Sequence, residues 1–543
     1  MKHYLTLIAH TIIRYPSSVA LVDYDSPISY TYRTLAEQVA KIHILLEKLG
    51  AKKGDKIALC GRNSSNWAVA FLAVETYGAV AVSLLPDFTS DDIYELVAHS
   101  DTKILFVGAG VINRVDASKM AGLQALISLV DNFKVLDTKT NKVTWEDVEA
   151  AYQTKYPDGL DLNHLDYPTN NLDELALINY TSGTTSSPKG VMLTHRSLSS
   201  NVIFGLEHIP NGPSKTTVGI LPLAHMFGLM FEFLYQLAGG TRVVFITGNL
   251  APTIMLKAFA EYQPYMILTV PLVIEKIFKK GILPMLSKPL VQVIWRTPII
   301  QDLLRRKIRS KLMKLFGGKL EVLIIGGAPI NASVEECMKE VKLPFTIGYG
   351  MTECGPLLSY EAWQKFKEHS CGKVVDRMQI KVDSEQPDKV EGELLVKGDN
   401  VMIGYYKNEQ ATQQIFTDDG WMRTGDIGII DKEGNIFIKG RNKNMILGPS
   451  GQNIYPEEIE EKLNDLEGVT ESIVLDRKGK IVALVYSEQV AELGMEAVQK
   501  QMQANLQTLN KQLPAYSKVS EVEVVEKEFE KTPKRSIKRF LYK

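Results

Sequence analysis

Apolar residues Leu35, Val39, Ile42, Leu46 and Leu49 recur at alternating spacings of four and three, which predicts a helix capped by Thr31 and ended at Gly50. The short runs Lys56–Cys60 and Lys103–Val107 read as strands. Between them, Trp67 to Leu85 is apolar enough to test as a membrane span, but Glu75 and Gly78 at its middle predict a buried helix followed by a strand. Helices alternating with short apolar runs predict an α/β fold whose parallel or mixed sheets are covered by helices on both faces. Further on, Leu320–Ile325 runs into Gly326-Gly-Ala-Pro-Ile330, and Phe345–Ile347 enters Gly348-Tyr-Gly-Met-Thr-Glu353. Glycine-bearing loops at strand ends are where such a sheet places a ligand.

From about residue 372 the pattern changes to short strands at Gly392–Lys397, Gly428–Ile430 and Asn435–Lys439, the last two joined by a hairpin at Asp431–Gly434. This predicts a small β subdomain. The remaining residues carry a helix near Pro456–Glu460 and strands at Ser472–Leu475 and Ile481–Tyr486, a small α+β unit.

With 543 residues the chain exceeds what one core usually serves, so at least two domains are expected. Its 62 basic and 63 acidic residues nearly cancel, which gives no electrostatic case for nucleic acid. Basic charge is instead local: Glu275 to Lys319 holds twelve Lys/Arg against Glu275 and Asp302. Within it, residues 303–316 read as a basic amphipathic helix with two readings, a peripheral contact with an anionic membrane surface or a solvated helix with one core face. Cys60, Cys337, Cys354 and Cys371 are scattered without metal-ligand spacing, so reduced thiols and a cytoplasmic location are expected.

The stretch Tyr180-Thr-Ser-Gly-Thr-Thr-Ser-Ser-Pro-Lys-Gly190 concentrates hydroxyls, small residues and one lysine. Thr181, Ser182, Thr184 and Thr185 offer hydroxyl donors, Gly183 and Gly190 permit close backbone approach, and Lys189 adds a mobile charge. A plain Ser/Thr linker and a phosphate-binding loop are both open on this stretch alone. It is not the ordinary P-loop, since Pro188 stands where that motif requires Gly-Lys-Ser/Thr. Gly108-Ala-Gly110 lacks the third glycine of a dinucleotide fingerprint and reads as a turn. His225, alone among apolar neighbours in Leu221–Gly228, reads by itself as a core histidine.

Taken in order, Thr-Ser-Gly-Thr-Thr, Gly-Tyr-Gly-Met-Thr-Glu, Thr-Gly-Asp and Gly-Arg-Asn-Lys resemble the motifs of the adenylate-forming superfamily, with Pro449–Ile459 and the basic insert most like long-chain fatty acid–CoA ligases. The resemblance spans essentially the whole chain. It implies an adenylation domain over 1–440, a hinge at 441–443 and a mobile domain over 444–543. It implies ATP-dependent activation of a fatty acid to acyl-AMP, followed by thioester formation with CoA. Thr181 to Lys189 would hold the β- and γ-phosphates; Tyr349 and Gly350 would border adenine beside Gly327, Ala328 and Pro329. Thr352 would contact the α-phosphate, Glu353 would ligate Mg²⁺, Asp426 would take both ribose hydroxyls, and Arg441 would add a cationic contact to the ribose or phosphate side. His225 would lie near the substrate carboxylate. Lys443 would be the hinge, and Gly451 would line the thiol's path or simply shape a turn.

The C-terminal segment departs from the family pattern. Aligning Lys531–Arg539 on it puts Ser536 where a lysine normally bridges carboxylate and α-phosphate. Lys534 or Lys538, two residues to either side and facing the same way on an extended segment, is expected to supply that charge. Two alternatives stay open: a carrier-protein phosphopantetheine arm as the thiol acceptor, and a non-catalytic adenylate- and lipid-binding relic.

Overall fold

The structure is a computed structural model that describes the chain except residues 140–141, 182–187, 249, 287, 289–290, 292–294, 296–299, 448–452, 478, 532–536 and 543. Two large mixed sheets carry the first part of the chain. One has nine strands and the other eight. In the first, Phe345–Gly350, Val322–Gly326, Met266–Thr269, Thr216–Gly219, Arg242–Ile246 and Val19–Tyr24 lie parallel side by side. In the second, Leu175–Thr181, Val80–Leu84, Lys56–Cys60, Thr102–Val107 and Ala125–Ser128 are parallel. Antiparallel strands close the edges. Strands such as Val80–Leu84 and Val322–Gly326 are buried at every position, as sheets covered on both faces require.

The periodic stretch forms the helix Tyr32–Lys48. Thr31 Oγ1 accepts from the Thr34 N–H at 3.1 Å, and Gly50 follows the helix in the left-handed region at φ +76°. The apolar stretch from Trp67 becomes the buried helix Ser65–Tyr77, which Gly78 ends at φ +82°, then a strand. No helix among the described residues is long and apolar enough to cross a membrane.

Glu75, inside that buried helix, meets the amino-terminal helix Tyr4–Arg14. Tyr4 donates its hydroxyl to Glu75 Oε2 at 2.6 Å, and His195 Nδ1 lies 3.6 Å from the same oxygen. The His3 ring packs on His195 with centroids 4.6 Å apart. Burial pushes the Glu75 carboxyl up to about 8, against the Tyr4 hydrogen bond and the Ala81 N–H. Burial also holds His3 down at about 4 and His195 at about 3, so near neutral pH both imidazoles are uncharged while Glu75 keeps its proton. Folded protein then keeps a proton on Glu75 that the unfolded chain has released, so the Glu75 contribution to stability falls as pH rises from the ordinary carboxyl range through about 8. His3 and His195, neutral where the unfolded chain is charged, contribute in the opposite sense below the ordinary imidazole range. Glu75→Gln is expected to remove that falling component from the urea-unfolding stability profile, shifting its slope across the window by up to ~1.4 kcal/mol per pH unit. Identical slopes in variant and parent would refute it.

The β subdomain is a four-stranded antiparallel sheet of Met378–Asp383, Gly392–Gly398, Met422–Ile430 and Ile436–Arg441. Its third strand begins earlier than sequence predicts and runs through Asp426. The last unit has its own core, with Ile459, Leu463, Val474, Val485 and Met502 buried between a three-stranded sheet and the helices Pro456–Asn464 and Met495–Gln512. Lys439 Nζ to Glu458 Oε1 at 3.2 Å and a hydrogen bond from Asn331 to Asp465 tie it to the larger unit.

The basic stretch forms the helix Ile300–Leu315. Its Ile308, Leu312 and nearby Phe316 are packed into the core of the nine-stranded sheet, while Leu303 stays 71% exposed. The apolar face that a membrane contact through 303–316 needs is therefore spent inside the protein. The solvated helix with one core face is the reading that fits.

Candidate active site

Thr181 and Lys189 are cross-strand partners at the ends of an antiparallel pair, Leu175–Thr181 and Lys189–Thr194. The hydroxyl-rich stretch thus connects two paired strands, although Ser182, Gly183, Thr184 and Thr185 lie outside the described residues. Gly190 has a different role from close approach to a ligand: a Cβ there would stand 3.0 Å from Ile178 Cγ2 and 3.2 Å from the Tyr180 ring. Its missing side chain makes room for packing.

Lys189 Nζ sits over the ring of Tyr405, 4.9 Å from its centroid. Tyr405 in turn donates its hydroxyl to Glu353 Oε1 at 3.0 Å. One tyrosine therefore holds the cation by its face and the carboxylate by its edge, keeping opposite charges near each other without a direct ion pair. Tyr405 was not singled out from sequence. The signal was present as Gly404-Tyr405-Tyr406, but its partners are 216 and 52 positions away, by difference of residue numbers, and nothing local marks them.

Glu353 and Thr352 lie on the 3₁₀ turn Thr352–Cys354, just past the strand Phe345–Gly350. This strand pairs with Val322–Gly326, bringing Gly348 beside Gly326, so the turn of Gly327, Ala328 and Pro329 and the run Tyr349–Glu353 leave the sheet side by side. Gly327 is left-handed at φ +88°, and Gly327, Ala328 and Pro329 are all exposed. The ring of Phe227 lies close enough to Gly326 that a Cβ there would stand 3.2 Å from it, which brings the His225 turn to the same strand ends. His225 caps the short helix Met226–Gly228, its Nδ1 accepting from the Phe227 N–H at 3.3 Å. With Nδ1 an acceptor, the neutral ring carries its proton on Nε2.

Asp426 is the most constrained of the group. It is 4% exposed, accepts from the Tyr349 hydroxyl at Oδ2 (2.7 Å), and faces Arg441 Nε at Oδ1 (3.0 Å). Asp426 and Arg441 are register partners on adjacent strands. Burial pushes the Asp426 carboxyl upward, while Arg441 and Tyr349 favour its charged form. Thr424, Gly425, Arg441, Asn442 and Lys443 line an open cavity of about 450 Å³ beside this pair. Burial and then Arg441 lower the Lys443 ammonium, against Asp426 and Glu353, so Lys443 faces the same charges. Gly451 and Lys534 lie outside the described residues. Lys538 is on the small unit, its Nζ 3.6 Å from Glu530 Oε2.

Chemically, this arrangement offers a carboxylate with two oriented oxygens beside an arginine, a second carboxylate held near a lysine, and glycine turns at parallel strand ends. Such a set fits a phosphorylated nucleotide. Glu353 fits Mg²⁺, a hard cation that is commonly held by one or two carboxylates, substrate phosphates and water. Among the described residues the grouping with metal-ligand spacing, Glu207, His208 and Asp376, is exposed and made of other residues.

Comparison with known proteins gives the family. The AMP-binding enzyme family matches residues 8–406, and the AMP-binding enzyme C-terminal domain matches 443–542. A 4-coumarate–CoA ligase of Humulus lupulus is 28% identical over 94% of this chain and 87% of its own. A long-chain-fatty-acid–CoA ligase of Escherichia coli is 28% identical over 85% and 80%. Among solved structures, an anthranilate–CoA ligase in complex with anthranoyl-AMP superposes with TM-score 0.80 at 17% identity, over 99% of this chain and 96% of that one. Two family matches that together run nearly end to end place this chain in the AMP-binding enzyme family of adenylate-forming enzymes.

Proposed function

We propose that the protein activates a fatty acid with ATP and passes the acyl group to CoA. The observation that carries the reading is a pair of polar constellations, Tyr349–Asp426–Arg441 and Lys189–Tyr405–Glu353, close enough that the Glu353 charge acts on both Asp426 and Arg441. Asp426 receives the ribose hydroxyls, Tyr349 and Gly350 border the adenine with Gly327–Pro329, and Thr181 and Lys189 hold the outer phosphates. Thr352 touches the α-phosphate, and Glu353 would hold Mg²⁺, which would supply neutralisation of phosphate charge. A carboxylate oxygen attacks the α-phosphorus as the bond to pyrophosphate breaks, with the electron pair leaving on pyrophosphate. The CoA thiol, losing its proton, then attacks the acyl carbon, and AMP leaves with the bonding electrons. The chain's part in both steps is positioning and charge stabilisation.

Residues 441–443, between the two family matches, act as the hinge on which 444–543 turns from one step to the other. The apolar Phe227 ring beside His225 and Gly326 supports an apolar acid, and the fatty acid ligase relative supports the acyl class.

ATP–pyrophosphate exchange across fatty acids of increasing chain length, with 4-coumarate and anthranilate alongside, tests this. Exchange is expected to be strongest with a fatty acid, and AMP release from the acyl-adenylate is expected to need CoA. Exchange with aromatic acids alone would overturn the substrate class, and exchange with no acid would overturn adenylation.

A further inference from the structure

Four buried glutamates among the described residues invite comparison. Glu75 meets Tyr4 and His195, Glu335 meets the His369 backbone and ring, and Glu460 meets Arg539. Glu232 differs. It is fully buried, and its recorded hydrogen bonds among the described residues are from two consecutive backbone N–H groups: Ile220 to Oε1 at 3.1 Å and Leu221 to Oε2 at 3.0 Å.

Those amides begin the turn that ends at His225. The rest of the turn is held from other elements. Asn63 donates to Leu221 O at 2.7 Å and accepts from Leu223 N at 2.8 Å; Asn179 donates to Ala224 O at 2.9 Å; His225 N reaches Pro222 O at 3.0 Å. Asn179 lies on the strand that ends at Thr181, so one clamp ties the His225 turn to the phosphate-side hairpin.

A position that needed only packing would be filled as its neighbours are, by Leu229, Met230, Phe231, Phe233 and Leu234, all buried. A carboxyl is costly in such surroundings unless its hydrogen bonds are required. Glu232 also stands on a π-helical turn, where Tyr235 N–H reaches back to Met230 O, a feature frequent at functional sites.

We propose that Glu232 is a positioning residue for acid activation: it fixes the Ile220–Ala224 turn so that His225 and Phe227 meet the substrate acid. The inference rests on the adenylating reading given above. Glu232 touches no reacting atom; its effect is transmitted by the turn. Glutamine is the same size but offers one acceptor oxygen in place of two, so one of the paired amides loses its partner.

The test is ATP–pyrophosphate exchange by full-length Glu232→Gln, varying acid and ATP separately. The acid KM is expected to rise by about tenfold, within what an orphaned buried N–H costs, while the ATP KM stays within about twofold of the parent. Asn63→Ala, which releases the same turn from its other side, is expected to give the same split, and it serves if Glu232→Gln does not fold. Equal changes in both KM values, or a lowered melting temperature with unchanged kinetics, would overturn the proposal. A parent protein that exchanges with no acid would overturn the adenylating reading and this inference with it. A parent that exchanges normally beside an unaltered variant would overturn this inference alone.

Discussion

Asp426→Ala is expected to lower ATP–pyrophosphate exchange by at least about 100-fold, because two charge-assisted hydrogen bonds to a buried carboxylate are worth roughly 3 kcal/mol or more together. The substitution removes the acceptor for both ribose hydroxyls and strands the Tyr349 hydroxyl and the Arg441 guanidinium that now converge on it. Asp426→Asn keeps the shape and one acceptor oxygen, so its loss should be smaller and fall mainly on the ATP KM. Urea unfolding of the same variants separates site from fold. Stranding the Tyr349 hydroxyl and the Arg441 guanidinium is expected to cost stability as well, so exchange is compared under conditions where urea unfolding shows each variant fully folded. Exchange by the alanine variant within about twofold of the parent would remove Asp426 from the nucleotide site.

The second large effect concerns the cation missing at Ser536. The double variant Lys534→Ala/Lys538→Ala is expected to lose exchange by about 100-fold or more, the scale of removing one pre-placed stabilising group from a transition state. Thioester formation from supplied acyl-adenylate should survive, since that step does not need the charge at the α-phosphate. Lys531 and Ile537 pair as an antiparallel bridge, and residues 532–536 between them lie outside the described residues. Lys538 is also engaged by Glu530, whereas Lys531 is committed to Glu471 at 2.6 Å and to Glu528. A comparison of the two single variants therefore assigns the role, and unaltered exchange in the double variant would exclude both lysines.

Much of the fold was legible in the chain because its signals are local. The Thr31-capped helix, the strands Lys56–Cys60 and Thr102–Val107 and the hairpin at 431–434 follow from periodicity, caps and turn residues that act within a few positions. The same is true of the glycine turn after Gly326, which occurs at a strand end as predicted, whereas the strand from Phe345 runs on through Gly348, Tyr349 and Gly350, held by pairing with neighbouring strands that the local sequence does not reveal. Motif order named the candidate residues but not their partners. Where the third strand of the β subdomain began was missed, since Met422–Asp426 carries no strong alternation and is held by pairing with Gly392–Gly398 and Ile436–Arg441.

By itself the sequence determined the α/β class, the change of pattern after residue 372, the family and most of the residues with chemistry to offer. Tertiary structure alone decided that Asp426 faces Arg441 across two strands, that Tyr405 joins Lys189 to Glu353, that Ile308 and Leu312 point into the core, and that Glu232 braces the turn before His225. The physical reason is range. Periodicity and capping are settled by neighbours along the chain, whereas a buried hydrogen bond or an apolar face is settled by whichever distant segment desolvates it.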